Sequence, residues 1–174
     1  MAEAATQQTP TEALIATLDL PQGGWSDAAR KDALSRLQQA GLPERRDEYW
    51  KYTRPDTLTQ PQAVSAAVRA SEDVALFDQI DRLKLVFVDG VFDADASDDL
   101  ALEGITIERL AQADADLHWA RDLYGTLEKN GQTPVARPLA ALNTAFAADG
   151  VLIHVTDKVS KPVNIVYRRT SDTA

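Results

Sequence analysis

The chain has 174 residues, of which 44% are hydrophobic and 26% charged, with eight glycines and eight prolines; this is an ordinary globular composition that excludes collagen-like, mucin-like and mostly disordered classes. It contains two histidines and no cysteine, which removes disulfides, thiolate metal sites, a cysteine nucleophile and any thiolate-held cluster from the chain itself. The net charge of −9 argues against a general affinity for nucleic acid, whose phosphates need clustered Lys and Arg.

Residues 1–8 are small and polar with no apolar period and read as a frayed tail. Leu14, Ile15 and Leu18 then fall at helical spacing behind a threonine, and Pro21, Gly23 and Gly24 close the run, which predicts a short helix within Pro10 to Leu20. Ser26 is the expected N-cap of a second helix whose apolar stripe is Ala29, Ala33, Leu34, Leu37 and Ala40, with Gly41 placed as its C′ glycine. Residues 42–53 are expected to form a short helix running into a loop, before the turn signal Arg54-Pro55-Asp56. From Gln62 to Ile80 neither the helical nor the strand period fits.

Leu83 to Val88 is β-branched and aromatic, and Asp89-Gly90 followed by Val91-Phe92 predicts a hairpin. Gly104 to Glu108 alternates as a third strand. Leu110, Ala113, Leu117, Ala120, Tyr124 and Leu127 then form the stripe of one helix ending near Asn130-Gly131. Pro138 opens another, with Leu139, Leu142 and Phe146 on one face and Asp149-Gly150 as its stop. Beyond it, Val151, Ile153, Val155, Val159, Val163, Ile165 and Tyr167 share odd numbering, so two strands joined by a turn from Asp157 to Pro162 point their apolar residues the same way. One partial coil of this kind cannot cover its own face, because stacked architectures need about three or more repeats. The sequence therefore reads as cut off after Ala174.

Charge is unevenly spread: residues 1–60, 61–130 and 131–174 sum to −2, −9 and +2. His118 has Asp114 and Asp122 four residues to either side, a spacing that suits a base held by a carboxylate or a hard metal site; the plainer reading is a solvated histidine with two weak surface pairs. His154 falls in the outward register of its strand. No G-x-S-x-G elbow, phosphate loop or G-x-G-x-x-G occurs, so nucleotide binding is not expected. The run Asp89, Asp93, Asp95, Asp98, Asp99 has the density of a calcium loop without its glycine and terminal glutamate, and a solvated loop is expected. Tyr49, Trp50, Lys51 and Tyr52 could stack a base or cap a ligand with Arg45, Arg46 and Arg54 as anion partners, although aromatic triplets between helices are more often core and staple residues. No catalytic, cofactor-binding or metal-ligating residue is assigned.

Three stretches in order carry a resemblance. Residues 41–53, GLPERRDEYWKYT, resemble the "GLP, charged run, E-x-W-K-Y-T" signature near the start of the SufD branch of the SufB/SufD family, components of the SUF iron-sulfur cluster assembly machinery. Residues 85–92, LVFVDGVF, resemble its "L-V-F-V-x-G" hairpin. Residues 138–155, PLAALNTAFAADGVLIHV, followed by KPVNI at 161–165, are similar to the family's "P-L-x-x-L-N-x-A-F-x-x-D-G" run into its β-helix.

The resemblance implies a non-enzymatic scaffold subunit that works with its paralogue SufB and the ATPase SufC. It implies an α+β fold: an N-terminal helical region with a small β-hairpin sheet, then the first strands of a truncated right-handed parallel β-helix. On this reading residues 1–8 are a tail, 9–136 an N-terminal domain, and 137–174 a leading helix with the opening strands of the β-helix. The segment would bind no cofactor, the iron-sulfur cluster belonging to the assembled complex and ATP to SufC. No site residue carries over, because the family's cluster-assembly positions, a histidine among them, lie in its C-terminal half and the cluster-handling cysteines are attributed mainly to SufB. No apolar run approaches the ~20 residues of a membrane span, and the start MAEAATQQTP lacks the pattern of a signal peptide, so a cytoplasmic protein with no membrane or nucleic-acid partner is expected. The alternatives are a stand-alone adaptor domain derived from the same fold and a β-helix hydrolase or acyltransferase.

Overall fold

The computed structural model describes residues 8–62, 76–112, 118–130 and 135–172. The chain is α+β and forms two compact units, one from 1–62 with 114–147 and the other from 63–113 with 148–174.

In the helical unit, α1 (Pro10–Ile15) begins with a capping box: Glu12 N–H donates to Thr9 Oγ1 at 3.2 Å, and Thr9 N–H donates to the Glu12 carboxylate at 2.7 Å. It is shorter than its apolar spacing predicts. Thr17 Oγ1 donates to the Leu14 carbonyl at 2.7 Å, and Leu18 is already 37% exposed. Helix α2 (Asp27–Ala40) has the expected limits and ends at Gly41, whose φ of 71° needs glycine. Ala33 and Leu37 are fully buried, whereas Ala40 is exposed.

The inner face of α2 also holds a charge that its stripe does not foretell. Arg30 is 3% exposed. Its Nε donates to Ser26 Oγ at 3.0 Å, so that hydroxyl does not cap the helix, and its Nη1 donates to the Ala145 carbonyl at 2.9 Å. Ala145 lies in the last turn of α5 (Pro138–Phe146), where carbonyls lack intrahelical donors and the helix dipole is negative. Tyr124 covers the guanidinium with its ring centroid 5.4 Å away, meets Trp25 edge-on at 5.5 Å, and donates its hydroxyl to the Thr144 carbonyl at 2.8 Å.

The helix expected to run to Asn130 is broken. Among the described residues a single 3-10 turn covers Leu110–Gln112, then α3 (His118–Leu123) and α4 (Thr126–Asn130) are separated at Gly125. Gly125 has φ of 75°, and a Cβ there would stand 3.0 Å from Thr144 Cγ2 on α5. The break turns Glu128 toward α2, where Arg36 grips it with two hydrogen bonds of 2.6 and 2.8 Å.

In the sheet unit, β1 (Leu83–Val88) and β2 (Val91–Phe92) form the expected hairpin, with Asp89 and Gly90 both at positive φ. Strand β3 (Ile105–Arg109) pairs antiparallel with β4 (Val151–Val155), and β5 (Val163–Arg168) pairs parallel with β1 over six positions, from Leu83↔Val163 to Val88↔Arg168. The result is two sheets, β2-β1-β5 and β3-β4. Leu83, Leu85 and Ile107 form their shared core, with Phe92, Leu102, Ile105, Val151, Ile153 and Val163 packed against it.

β4 and β5 are not neighbours in one stack; each finds its partner far upstream, in a different sheet. The odd-numbered parity holds for Val151, Ile153 and Val163, which reach the core, and fails for Val155 and Tyr167, which are 57% and 72% exposed.

Replacing Arg30 by Met leaves the Ala145 carbonyl and the Ser26 hydroxyl without their buried donor. The variant should lose about 2–3 kcal/mol of stability, read as a lower urea midpoint with an unchanged slope.

Candidate interaction site

Among the described residues, the groups singled out for chemistry do not converge. Asp114 and the His118 side chain lie outside the described residues, and Asp122 is exposed. His154 is exposed on β4, opposite Thr106. No group of three metal-ligating side chains occurs among the described residues.

The acidic run is spent on backbone. Asp98 accepts from Lys84 N–H at 2.6 Å, Asp93 from Ala96 N–H at 3.0 Å and Asp99 from Ala101 N–H at 3.0 Å. Asp89 takes the N–H groups of Thr170 and Ser171 at 2.9 and 3.0 Å. The Thr170 hydroxyl, followed by those N–H groups, holds the Asp89 carboxyl below its ordinary value. These carboxylates shape turns and close the end of β5, as a solvated loop would; only Asp95 has no bond of this kind among those described and stands exposed.

What the sheet unit offers outward is strand edge. β5 and β4 each end their sheet, with no further strand beside them among the described residues. Leu85 and Phe87 on β1 are 0% and 2% exposed, while their ladder partners Ile165 and Tyr167 on β5 are 37% and 72% exposed. Tyr167 stacks on Phe87 with centroids 5.4 Å apart and planes 28° apart, so its outer ring face is open. An apolar ladder that stops on an uncovered edge is a template for another strand.

A corner fixes this arrangement. Arg109, at the end of β3, pairs with the Asp149 carboxylate and lays its guanidinium 4.8 Å from the Phe92 ring centroid. Asp149 also accepts from the N–H groups of Gly150 and Ala111 at 2.8 and 3.3 Å. Burial alone would raise the Asp149 carboxyl, but Arg109 and the two N–H groups outweigh it and hold the group below its ordinary value. Asp149 thus pins the start of β4 to the end of β3, a role that the helix-stop pattern Asp149-Gly150 does not reveal.

The helical unit offers a second surface, the loop over 44–56. A 3-10 turn at Glu48–Trp50 is capped by Asp47, whose carboxylate accepts from Tyr49 N–H at 3.1 Å, and buried Pro55 opens another at Pro55–Leu58. The aromatic run is not a core staple here. Tyr49 and Tyr52 are 63% and 91% exposed, and Trp50 is half-buried beside Tyr49 in an edge-on pair at 6.5 Å. Tyr49 and Trp50 wall a cleft of about 180 Å³ with Arg137, Pro138, Leu139 and Ala140. No helix among the described residues is long and apolar enough to cross a membrane.

Comparison with known proteins bears on what these surfaces serve. Residues 22–165 match the family described as the SufBD protein N-terminal region. The chain is also similar to the iron-sulfur cluster assembly protein SufD of Escherichia coli (strain K12), with 32% identity over 154 residues that cover 78% of this chain and 33% of that protein. It thus spans about a third of the length of the curated relative it matches.

The corner has a pH signature. A depressed carboxylate contributes stability that is fully present above its unfolded value of about 3.9 and lost as pH falls through the lower folded value. Asp149→Asn should lower stability by about 1–3 kcal/mol at pH 7, and its denaturation midpoint should fall less steeply than that of the parent between about pH 5 and 2.

Proposed function

This chain belongs to the SufBD N-terminal-region family, and on that premise we propose that it is part of a non-catalytic scaffold subunit of the SUF iron-sulfur cluster assembly complex, acting in the cytoplasm with SufB and the ATPase SufC. The observation that carries the reading is the family match across 22–165, which takes in both units. In this role the chain binds proteins and performs no chemical step of its own. The cluster is cargo of the assembled complex, and ATP is held by SufC.

The strand edges supply the physical rationale. In the proposed subunit β5 is the second rung on β1, and later coils of the longer protein add to the β5 edge, covering Ile165 and Tyr167 in a right-handed parallel β-helix that pairs with SufB. Parallel rungs suit this use because in-register apolar side chains stack over one another from coil to coil, each burying the face of the last. The two thirds of the relative that lie outside the match leave room for those coils and for a C-terminal region that docks SufC.

Co-purification tests the assignment. A full-length protein that contains this chain, co-expressed with SufB and SufC, should emerge as one complex, whereas the 174-residue chain alone should not retain SufC. Retention of SufC by residues 1–174, or failure of the full-length protein to hold either partner, overturns the proposal.

A further inference from the structure

β5 is held to its sheet more by its ends than by its face. It has a neighbouring strand on one side only among the described residues, and none of its six residues is fully buried, so burial of apolar surface contributes little to keeping it in place. The two ends are fastened differently. At the start, Lys161 Nζ meets the Asp81 carboxylate at 3.4 Å with the Asp81 side chain 88% exposed, a pair of the kind that adds little. At the finish, one side chain gathers the backbone that leaves the strand. The Asp89 carboxylate accepts from Thr170 N–H at 2.9 Å, from Ser171 N–H at 3.0 Å and from the Thr170 hydroxyl, and Asp89 N–H donates to the Arg168 carbonyl at 2.9 Å. Arg169 Nε donates to the Ser171 carbonyl at 3.1 Å, which closes 169–171 into a short strap beside the carboxylate. Hydrogen bonds to an ionised acceptor are about twice as strong as neutral ones, so this end dominates.

We propose that Asp89 and the 169–171 strap form a latch that keeps β5 on β1 as one detachable unit: with the latch shut the sheet offers the edge of β5, and with it open β5 leaves as a whole and the sheet offers β1 itself. The two edges are unlike. On β1, Leu85 and Phe87 are at most 2% exposed, whereas their ladder partners Ile165 and Tyr167 are 37% and 72% exposed. The latch therefore decides whether another strand meets a half-exposed edge or a strongly apolar one. Its anchor does not move with β5. Asp89 and Gly90 sit at positive φ in the β1–β2 turn, and Ser97 and Asp98 accept from Val86 and Lys84 N–H on the opposite edge of β1, so β1 and β2 keep their bonds when β5 departs. Local opening of this kind is set by the few bonds that close a poorly buried element. The latch follows from the hydrogen-bond geometry and holds whether or not the SUF reading does.

Amide hydrogen exchange on the 174-residue chain tests the latch, because N–H groups of β1 report its two sides separately. Leu83 N–H donates to the Pro162 carbonyl at the start of β5, whereas Lys84 and Val86 N–H donate to Asp98 and Ser97 on the capped edge. In the parent chain, Leu83 and the protected amides of 163–168 should share one level of protection, about tenfold or more below that of Lys84 and Val86, and should lose it in low urea with a smaller slope than global unfolding shows. Asp89→Gly removes the carboxylate and keeps the positive φ of the turn; it should lower the shared protection about tenfold or more. Thr170→Val leaves Asp89 and the turn intact and should move the same amides the same way by a smaller factor. Equal protection of β5 and of Lys84 and Val86 in the parent chain, loosening confined to 170–171 in Asp89→Gly, or unchanged protection of β5 in that variant overturns the proposal.

Discussion

Four of the six residues of β1, Leu83, Leu85, Val86 and Phe87, are at most 2% exposed, so the polar groups of its backbone have to be satisfied away from water. The rest of the sheet unit follows from that constraint. On one edge β2 supplies only two paired positions, and the chain beyond it completes the job with side chains: Ser97 Oγ accepts from Val86 N–H at 2.9 Å, Asp98 accepts from Lys84 N–H, and Asp98 N–H donates back to the Lys84 carbonyl at 2.8 Å. On the other edge β5 matches β1 residue for residue, and the ladder continues past both ends, from Leu83 N–H to the Pro162 carbonyl and from Asp89 N–H to the Arg168 carbonyl, each at 2.9 Å. An edge capped by side chains cannot accept another strand, whereas the edge beyond β5 can. The sheet therefore has one side dressed by side chains and another, at β5, with no further strand beside it among the described residues.

The helical unit is organised by a buried cation instead. Arg30 places a full positive charge where α5 ends, and its two hydrogen bonds with the flanking Tyr124 ring offset the cost of removing that charge from water. Arg36 and Glu128 repeat the theme at the α2–α4 contact, with side chains only 19% and 12% exposed. A family of purely apolar contacts would hold α2 against α5 in more than one register; a guanidinium oriented by Ser26 at the start of its own helix and aimed at the Ala145 carbonyl of α5 favours a single rotation of α2 about its axis.

Period and turn chemistry made several elements legible in the sequence. The limits of α2, the hairpin at Asp89-Gly90, strand β3 and the start of α5 all lie where Gly41, Gly90, Gly104 and Pro138 punctuate the pattern. Partners were another matter. The parity of Val151 to Tyr167 states which residues share a face and says nothing of which strand lies alongside, and the partner of β5 is 80 positions upstream. Arg30 was hidden because a charge on a helix counts as solvent-facing until a carbonyl end is placed opposite it. The break at Gly125 has no signal in the stripe from Leu110 to Leu127, which continues through it in number. Of the candidate binding residues, the exposed arginines of the 44–56 loop were visible from composition, while the exposure of Tyr49 and Tyr52 depends on what packs nearby and could only be seen folded.

The separation between β1 and β5 also sets a timetable for synthesis. Ribosomes add about 5–20 residues per second, so the 75 positions from Val88 to Val163 correspond to roughly 4–15 seconds during which β1 has left the exit tunnel and its parallel partner has not. The residues that cap its first edge, Ser97 and Asp98, emerge almost at once. For those seconds the nascent chain carries an apolar strand with one side dressed and the other bare, and that bare side is where a holding chaperone or a premature neighbour would first make contact.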